Sequence, residues 1–363
     1  MRKLITIASI FFIIFLLGCN DAKITFGNVN YFPLNDGSEW ETVTPESLGW
    51  NTAEVSDLYS FLEDSDTRAF IVLKEGKIVF EQYWGTNFNN GGAFTQESRW
   101  FWASAGKTLT ASLVGIAESK GLLTVSDKTS DHLGIGWTSL PPEKENLVTI
   151  KNNLTMTTGF RTDVNLNCYT PNCFRYRVDE GRQWFYHTGT ATVLKNVIEN
   201  VSGLSYNAFT DQRLESVIGM NGEWIEEDSK NIYWSTGRDA ARFGLLLSAK
   251  GVWRGNNVIS GSYVNRMTTT SQNINESYGY LTWLNGKSSI VYPGLQTITL
   301  SPLSTNAPED TYAALGNDGQ IIAVVPSENI VVVRFGDGPS QGQISVNYFN
   351  DLWEKINAVT NTN

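Results

Sequence analysis

Strand-like runs stand at both ends of this chain and helix-like periodicity fills the stretch between them, a distribution that few folds accommodate. Phe70-Ile71-Val72-Leu73 and Ile78-Val79-Phe80 flank Lys74-Glu75-Gly76-Lys77, a hairpin signal. Residues 278–284, 311–315, 320–325 and 330–335 read as further strands, and 346–356 as a closing helix. A helix over 52–64 has Val55, Leu58, Tyr59 and Leu62 on one face. Helical spacing also covers 150–156, 190–201, 206–214, 237–250 and 260–267. This order predicts an α/β (α+β) fold, with an antiparallel sheet built from both chain ends, flanked by helices, and a large, mostly helical inserted lobe. A cleft between two such lobes is a usual place for a site.

Ser104-Ala105-Gly106-Lys107 falls where the N-terminal strands give way to helix. Leu109, Leu113 and Ile116 continue that helix, and Gly121 ends it. Residues three apart share a helix face about 5 Å apart, so a hydroxyl and an amine at this spacing can exchange a proton. The alternative is a helix start whose serine is a cap and whose lysine is solvated. Gly338-Pro339-Ser340-Gln341-Gly342 also fits a nucleophile pattern, G-x-S-x-G, but that elbow needs a histidine later in the chain. None follows His187, so Ser340 is expected to be a turn residue.

Met1-Arg2-Lys3, an apolar run from Leu4 to Leu17, and Gly18-Cys19 describe an export signal too short for a comfortable membrane span. The end of this segment resembles a bacterial lipobox, which makes 1–18 a lipoprotein signal peptide and Cys19 the lipidated residue. An ordinary signal peptide is the alternative. Asn20 leans toward the periplasmic face or surface of an outer membrane. Residues 19–44 are turn-rich and aperiodic and read as a tether. In an exported protein Cys168 and Cys173 are expected to form a local disulfide, with two free thiols as the alternative. His132 and His187 do not stand at ligand spacing from those cysteines, so no metal or other cofactor is expected. The charge, 27 − 37 = −10, disfavours nucleic acid as a partner.

With these residues in place, the chain resembles the serine β-lactamase-like superfamily, which has a sheet split between the termini, a helical insert, and S-x-x-K at the first insert helix. Similar segments follow in order: Ile150 to Phe160, Tyr186-His187-Thr188, Ser235 to Gly244, and Gly316-Asn317-Asp318-Gly319-Gln320 with the strands after it. The last has the form of the 6-aminohexanoate-dimer hydrolase and esterase branch. The resemblance runs from about Pro45 to Trp353. It implies one serine hydrolase domain over 45–357, with an α/β lobe at about 45–110 and 268–357 and a helical lobe at about 111–267.

The same resemblance assigns the catalytic residues as Ser104 (nucleophile), Lys107 and Tyr186 (proton shuttle). The backbone N–H groups of Ser104 and Asn317 become the oxyanion hole, and Thr188, Leu315 and Gly316 substrate-binding candidates; Trp102 joins them as an aromatic beside the nucleophile, with core packing as its alternative. His187 as a triad base for Ser104 is the lesser alternative. Two departures narrow the substrate. Thr188 replaces the asparagine of Y-x-N, and Ala314-Leu315-Gly316 replaces K-T-G and its carboxylate-binding cation. The expectation is therefore a lipid-anchored hydrolase of small esters or amides. The alternatives are a β-lactamase or DD-peptidase-type penicillin-binding enzyme, or a catalytically inactive ligand-binding lipoprotein of the same fold.

Overall fold

The structure, a computed structural model, describes residues 30–36, 39–88, 91–227 and 230–361. The signal peptide and Cys19 lie outside the described residues. The chain enters through helix α1 (Val55–Asp64) and the hairpin of β1 (Thr67–Lys74) and β2 (Lys77–Tyr83), then makes a short strand β3 (Trp100–Phe101). Helices α2 (Gly106–Ser119) and α3 (Thr188–Ser202) follow, with several shorter helices between and after them. A second hairpin, β4 (Glu223–Glu227) and β5 (Lys230–Ser235), leads into α4 (Gly237–Ser248). Strands β6 (Trp283–Leu284), β7 (Tyr312–Leu315), β8 (Ile321–Val325) and β9 (Ile330–Gly336) precede the closing helix α5 (Val346–Thr360).

The main sheet has the order β2-β1-β9-β8-β7-β6, and every neighbouring pair is antiparallel. Thr67 pairs with Gly336 and Lys74 with Ile330, so the two chain ends meet at the sheet's centre, as the distribution of strand-like runs predicts. Strands β8 and β9 are buried along their whole length, which accounts for their unbroken apolar runs. Helix α4 lies flat on one face because Gly244 has no side chain; a Cβ there would sit 2.5 Å from Val331. Its first turn is fixed by a capping box between Thr236 and Asp239.

Helix α2 is buried from Gly106 to Ala117, the burial of a core helix. Thr108 donates to the carbonyl of Leu281 and Ser112 to that of Thr108, so the polar groups on this helix are satisfied inside the protein.

The mostly helical middle of the chain also holds strands that the sequence pattern does not single out: β4 and β5 join β3 in a small sheet of their own. Three expectations change. Helix α4, assigned by position to the helical lobe, packs instead on β1, β8 and β9. The strand over 278–284 shrinks to β6, since Leu281 takes a left-handed φ of 48° and turns the chain back on itself.

The tether does not hold for its described part. Tyr31 N–H donates to Glu75, Arg242 to the carbonyl of Leu34, and buried Trp40 to the carbonyl of Gly76. Backbone bonds Val43–Ile78 and Ile78–Glu41 bind the segment to β2.

Candidate active site

Strand β3 pairs with β5, and the N–H of Trp102 continues the pairing by donating to Tyr233. Side chains alternate along this stretch, so Phe101 faces the cleft while Trp100 and Trp102 point inward. Trp102 is fully buried and donates to Ser235 at 2.9 Å. Ala103 then takes a φ of 46°, a conformation non-glycine residues seldom adopt, and the chain turns sharply into the helix. Ser104 is left partly exposed at this turn and Lys107 follows one turn on.

Lys107 Nζ lies 2.7 Å from Ser104 Oγ and is bonded to it. Burial disfavours the ammonium and lowers the lysine's pKa to about 7. Lys107 Nζ also sits 4.9 Å from the centre of the Tyr186 ring. Tyr186 is buried beside Trp184, Tyr278 and Trp283. That burial raises its pKa well above the usual phenol value, against the smaller opposing effect of a hydrogen bond with Ser104. The phenol is therefore neutral at pH 7, and the lysine is the group close to losing its proton.

His187 packs between Phe174 and Phe185, and neither ring nitrogen has a hydrogen-bond partner among the described residues. Burial, and secondarily the charge of Lys107, lower its pKa to about 4. It is a neutral core residue at the start of α3 and makes no triad with Ser104.

After β7 the chain makes a tight turn over Asn317–Gly319, in which Asp318 has a φ of 57°. Gly316 N–H bonds the carbonyl of Gln320. Fully buried Arg334 donates to the carbonyls of Asp318 (2.8 Å), Gly319 (3.2 Å) and Ser65 (2.6 Å), and to the Thr67 hydroxyl (3.0 Å). Gly316 presses on the nucleophile turn so closely that a Cβ would meet Trp102 O, Ala103 Cβ and Ala105 N. Asn317 is thereby carried to the same cavity as Ser104.

That cavity has a volume of about 530 Å³. Ser104, Lys107, Thr188 and Asn317 line it, whereas Trp102, Leu315 and Gly316 do not. The side chains of Trp102 and Leu315 belong to the core, and Gly316 acts through its backbone alone. Ser340 lies in the loop between β9 and α5, and that loop forms part of the cavity wall. Its hydroxyl is 3.4 Å from Asn317 Oδ1.

Sequence reasoning missed the far wall, which includes Thr192 and Lys195 of α3, Trp224 of β4, and Lys230, Asn231 and Ile232 of β5. The signal for α3 was present: Thr188, Ala191, Thr192 and Lys195 follow i, i+3, i+4, i+7. Cys168 and Cys173 are bonded to each other, with Cα atoms 5.9 Å apart, and Cys168 rests on the first turn of α3, where a Cβ on Gly189 would meet the Cys168 carbonyl oxygen and Gly189 N–H donates to Leu166 just before the loop.

Comparison with known proteins matches this geometry. The Beta-lactamase family model matches residues 64–343. A relative, an uncharacterised protein of Alkalihalophilus pseudofirmus, is 23% identical over 322 residues, covering 80% of this chain and 88% of its own. The fold is shared with the Bacillus anthracis protein named "Putative 6-aminohexanoate-dimer hydrolase" at a TM-score of 0.66 and 16% identity, covering 91% of this chain and 89% of that one. It is shared equally with a family VIII carboxylesterase, at a TM-score of 0.65 and 14% identity, covering 84% and 96%.

Proposed function

The chain belongs to the Beta-lactamase family, and we propose that this member is a serine hydrolase that cleaves ester or amide bonds of small substrates through an acyl-enzyme on Ser104. The observation that carries the reading is the 2.7 Å contact of Lys107 Nζ with Ser104 Oγ, in surroundings that bring the lysine's pKa to about 7. A neutral Lys107 takes the Ser104 proton as Oγ bonds the substrate carbonyl carbon. The N–H groups of Ser104 and Asn317 receive the oxyanion. The bond to the leaving oxygen or nitrogen then breaks, and that atom takes up the proton by way of Lys107 and Tyr186. Water repeats the sequence on the acyl-enzyme and releases the acid.

Esters and neutral amides fit better than penicillins. The position of the family's carboxylate-binding lysine is held by Ala314, a buried alanine on β7. We also propose that residues 1–18 are removed on export and that Cys19 carries a lipid. That reading of 1–19 rests on the basic start, the apolar run and the small residue before the cysteine. A lipid anchor of this kind places the enzyme at the periplasmic face or surface of an outer membrane. Labelling by a fluorophosphonate tests the catalytic reading: wild type is labelled and Ser104→Ala is not. Equal labelling of the two would refute it.

A further inference from the structure

Two elements of the cavity's far wall run outward from the nucleophile, and each carries a lysine. On α3, Thr188 stands beside the catalytic tyrosine, and Lys195 lies two helical turns further on, about 10 Å along the axis. On β5, the carbonyl of Tyr233 binds the N–H of Trp102, and Lys230 lies three residues away, again about 10 Å.

The two far ends are joined. Lys195 Nζ is 3.0 Å from Glu226 Oε2, and Glu226 pairs across the hairpin with Asn231, the neighbour of Lys230. The Tyr169 hydroxyl donates to the other oxygen of Glu226 at 2.7 Å. Both carboxylate oxygens are thus engaged, and Glu226 holds Lys195 in place while leaving its remaining N–H donors for a ligand. Between the nucleophile and the lysines the walls are mostly apolar, built from Phe101, Ala191, Trp224 and Ile232.

We propose that this cavity selects substrates carrying a carboxylate at the end of an apolar arm, about 10 Å from the scissile carbonyl, with Lys195 and Lys230 as its binding groups. The cation missing at Ala314 has a counterpart elsewhere in the cavity: Glu226 offsets one of the two lysine charges, and the cluster of Lys195, Lys230 and Glu226 keeps a net positive charge that favours an anion.

The proposal rests on the hydrolase reading, and its test separates the two. Binding is measured first on Ser104→Ala protein, which needs no turnover, with suberic acid monoanilide against octananilide. Binding about tenfold tighter for the carboxylate, lost in Lys195→Met/Lys230→Met on the same background, is the expected result. Equal binding of the two anilides, or a preference that survives the double substitution, would overturn the proposal whatever the enzyme hydrolyses.

Two ester pairs on catalytically intact enzyme then locate the arm. Mono-para-nitrophenyl suberate against para-nitrophenyl octanoate places the carboxylate in the acyl part. 4-(2-Carboxyethyl)phenyl butyrate against its methyl ester, with the carboxylate again about 10 Å from the scissile carbonyl, places it in the leaving group. A kcat/KM ratio above about ten in either pair, falling toward one in the double variant, supports the proposal; ratios near one in both pairs count against it.

Discussion

A Cβ on Gly316 would lie 2.7 Å from the carbonyl oxygen of Trp102, so the end of β7 and the turn before the nucleophile touch backbone to backbone. Gly316 precedes Asn317, and Trp102 comes two residues before Ser104, so the contact sets how far apart the N–H groups of Ser104 and Asn317 stand, the donors of the proposed oxyanion hole.

Gly316→Ala is expected to part them. The methyl group meets two backbone atoms and the Cβ of Ala103, and a shift of a few tenths of an ångström misaligns the proposed oxyanion hole. Turnover of a chromogenic ester falls about a hundredfold through kcat, with a stability loss of about 1–3 kcal/mol from overpacking. Steady-state kinetics and urea unfolding check both parts.

The pH profile follows from Lys107. The base works when neutral, so kcat/KM rises with pH through about 7 and then levels off. The stability sign follows from the lowered pKa. Between about 7 and the ordinary lysine value of 10.5 the unfolded chain holds more protons, so stability increases with pH across that window. Lys107→Met abolishes the rise in rate and raises the urea midpoint at neutral pH.

Tyr186→Phe keeps the ring among Trp184, Tyr278 and Trp283 and removes only the hydroxyl. A loss of about 10²–10⁴ in kcat with a small change in KM is expected if the phenol relays the proton to the leaving group. The loss should shrink for esters of acidic phenols, whose leaving groups need no proton. Kinetics on a series of aryl esters provides the check.

The Cys168–Cys173 disulfide closes a short loop, so Cys168→Ser with Cys173→Ser is expected to cost about 2 kcal/mol. The larger effect is on KM. The loop bears Tyr169, which bonds Glu226, and Asn167 beside it lines the cavity. Unfolding and ester kinetics with and without reductant measure the two effects separately.

Removing the chain up to Asp36 leaves the catalytic residues intact and strips a partner from buried Arg242, which bonds the carbonyls of Leu34 and Ile218. The bond of Asn35 Nδ2 to Val217 also goes. A loss of about 1–3 kcal/mol with kcat unchanged is expected, read from denaturant midpoints and kinetics on the shortened protein.

The sequence speaks most clearly where the physics is local. The spacing of Ser104 and Lys107 is one helical turn, and it places amine against hydroxyl regardless of what surrounds them. The apolar runs of β1, β8 and β9 are equally self-declaring, since strands buried on both faces need no alternation. The β4–β5 hairpin is obscured because Glu223, Glu226, Glu227 and Asn231 interrupt its apolar residues, and its third strand, β3, lies far away in sequence. Trp102 reads as a pocket residue because it is aromatic and near the nucleophile, but the strand's period of two gives that place to Phe101. The docking of Tyr31 and Leu34 depends on distant partners, the carbonyl of Glu75 and the guanidinium of Arg242, that no local pattern reveals.

Buried Arg334 ties Ser65 and Thr67, from the early part of the chain, to Asp318 and Gly319, from the late part. It sits on β9, which is also the strand that β1 pairs with. A nascent chain therefore carries Ser104 and Lys107 long before it carries anything that can hold Asn317 in place. On the proposed mechanism, a chain truncated before β9 has Ser104 and Lys107 but nothing to hold Asn317 beside them, and is expected to lack activity.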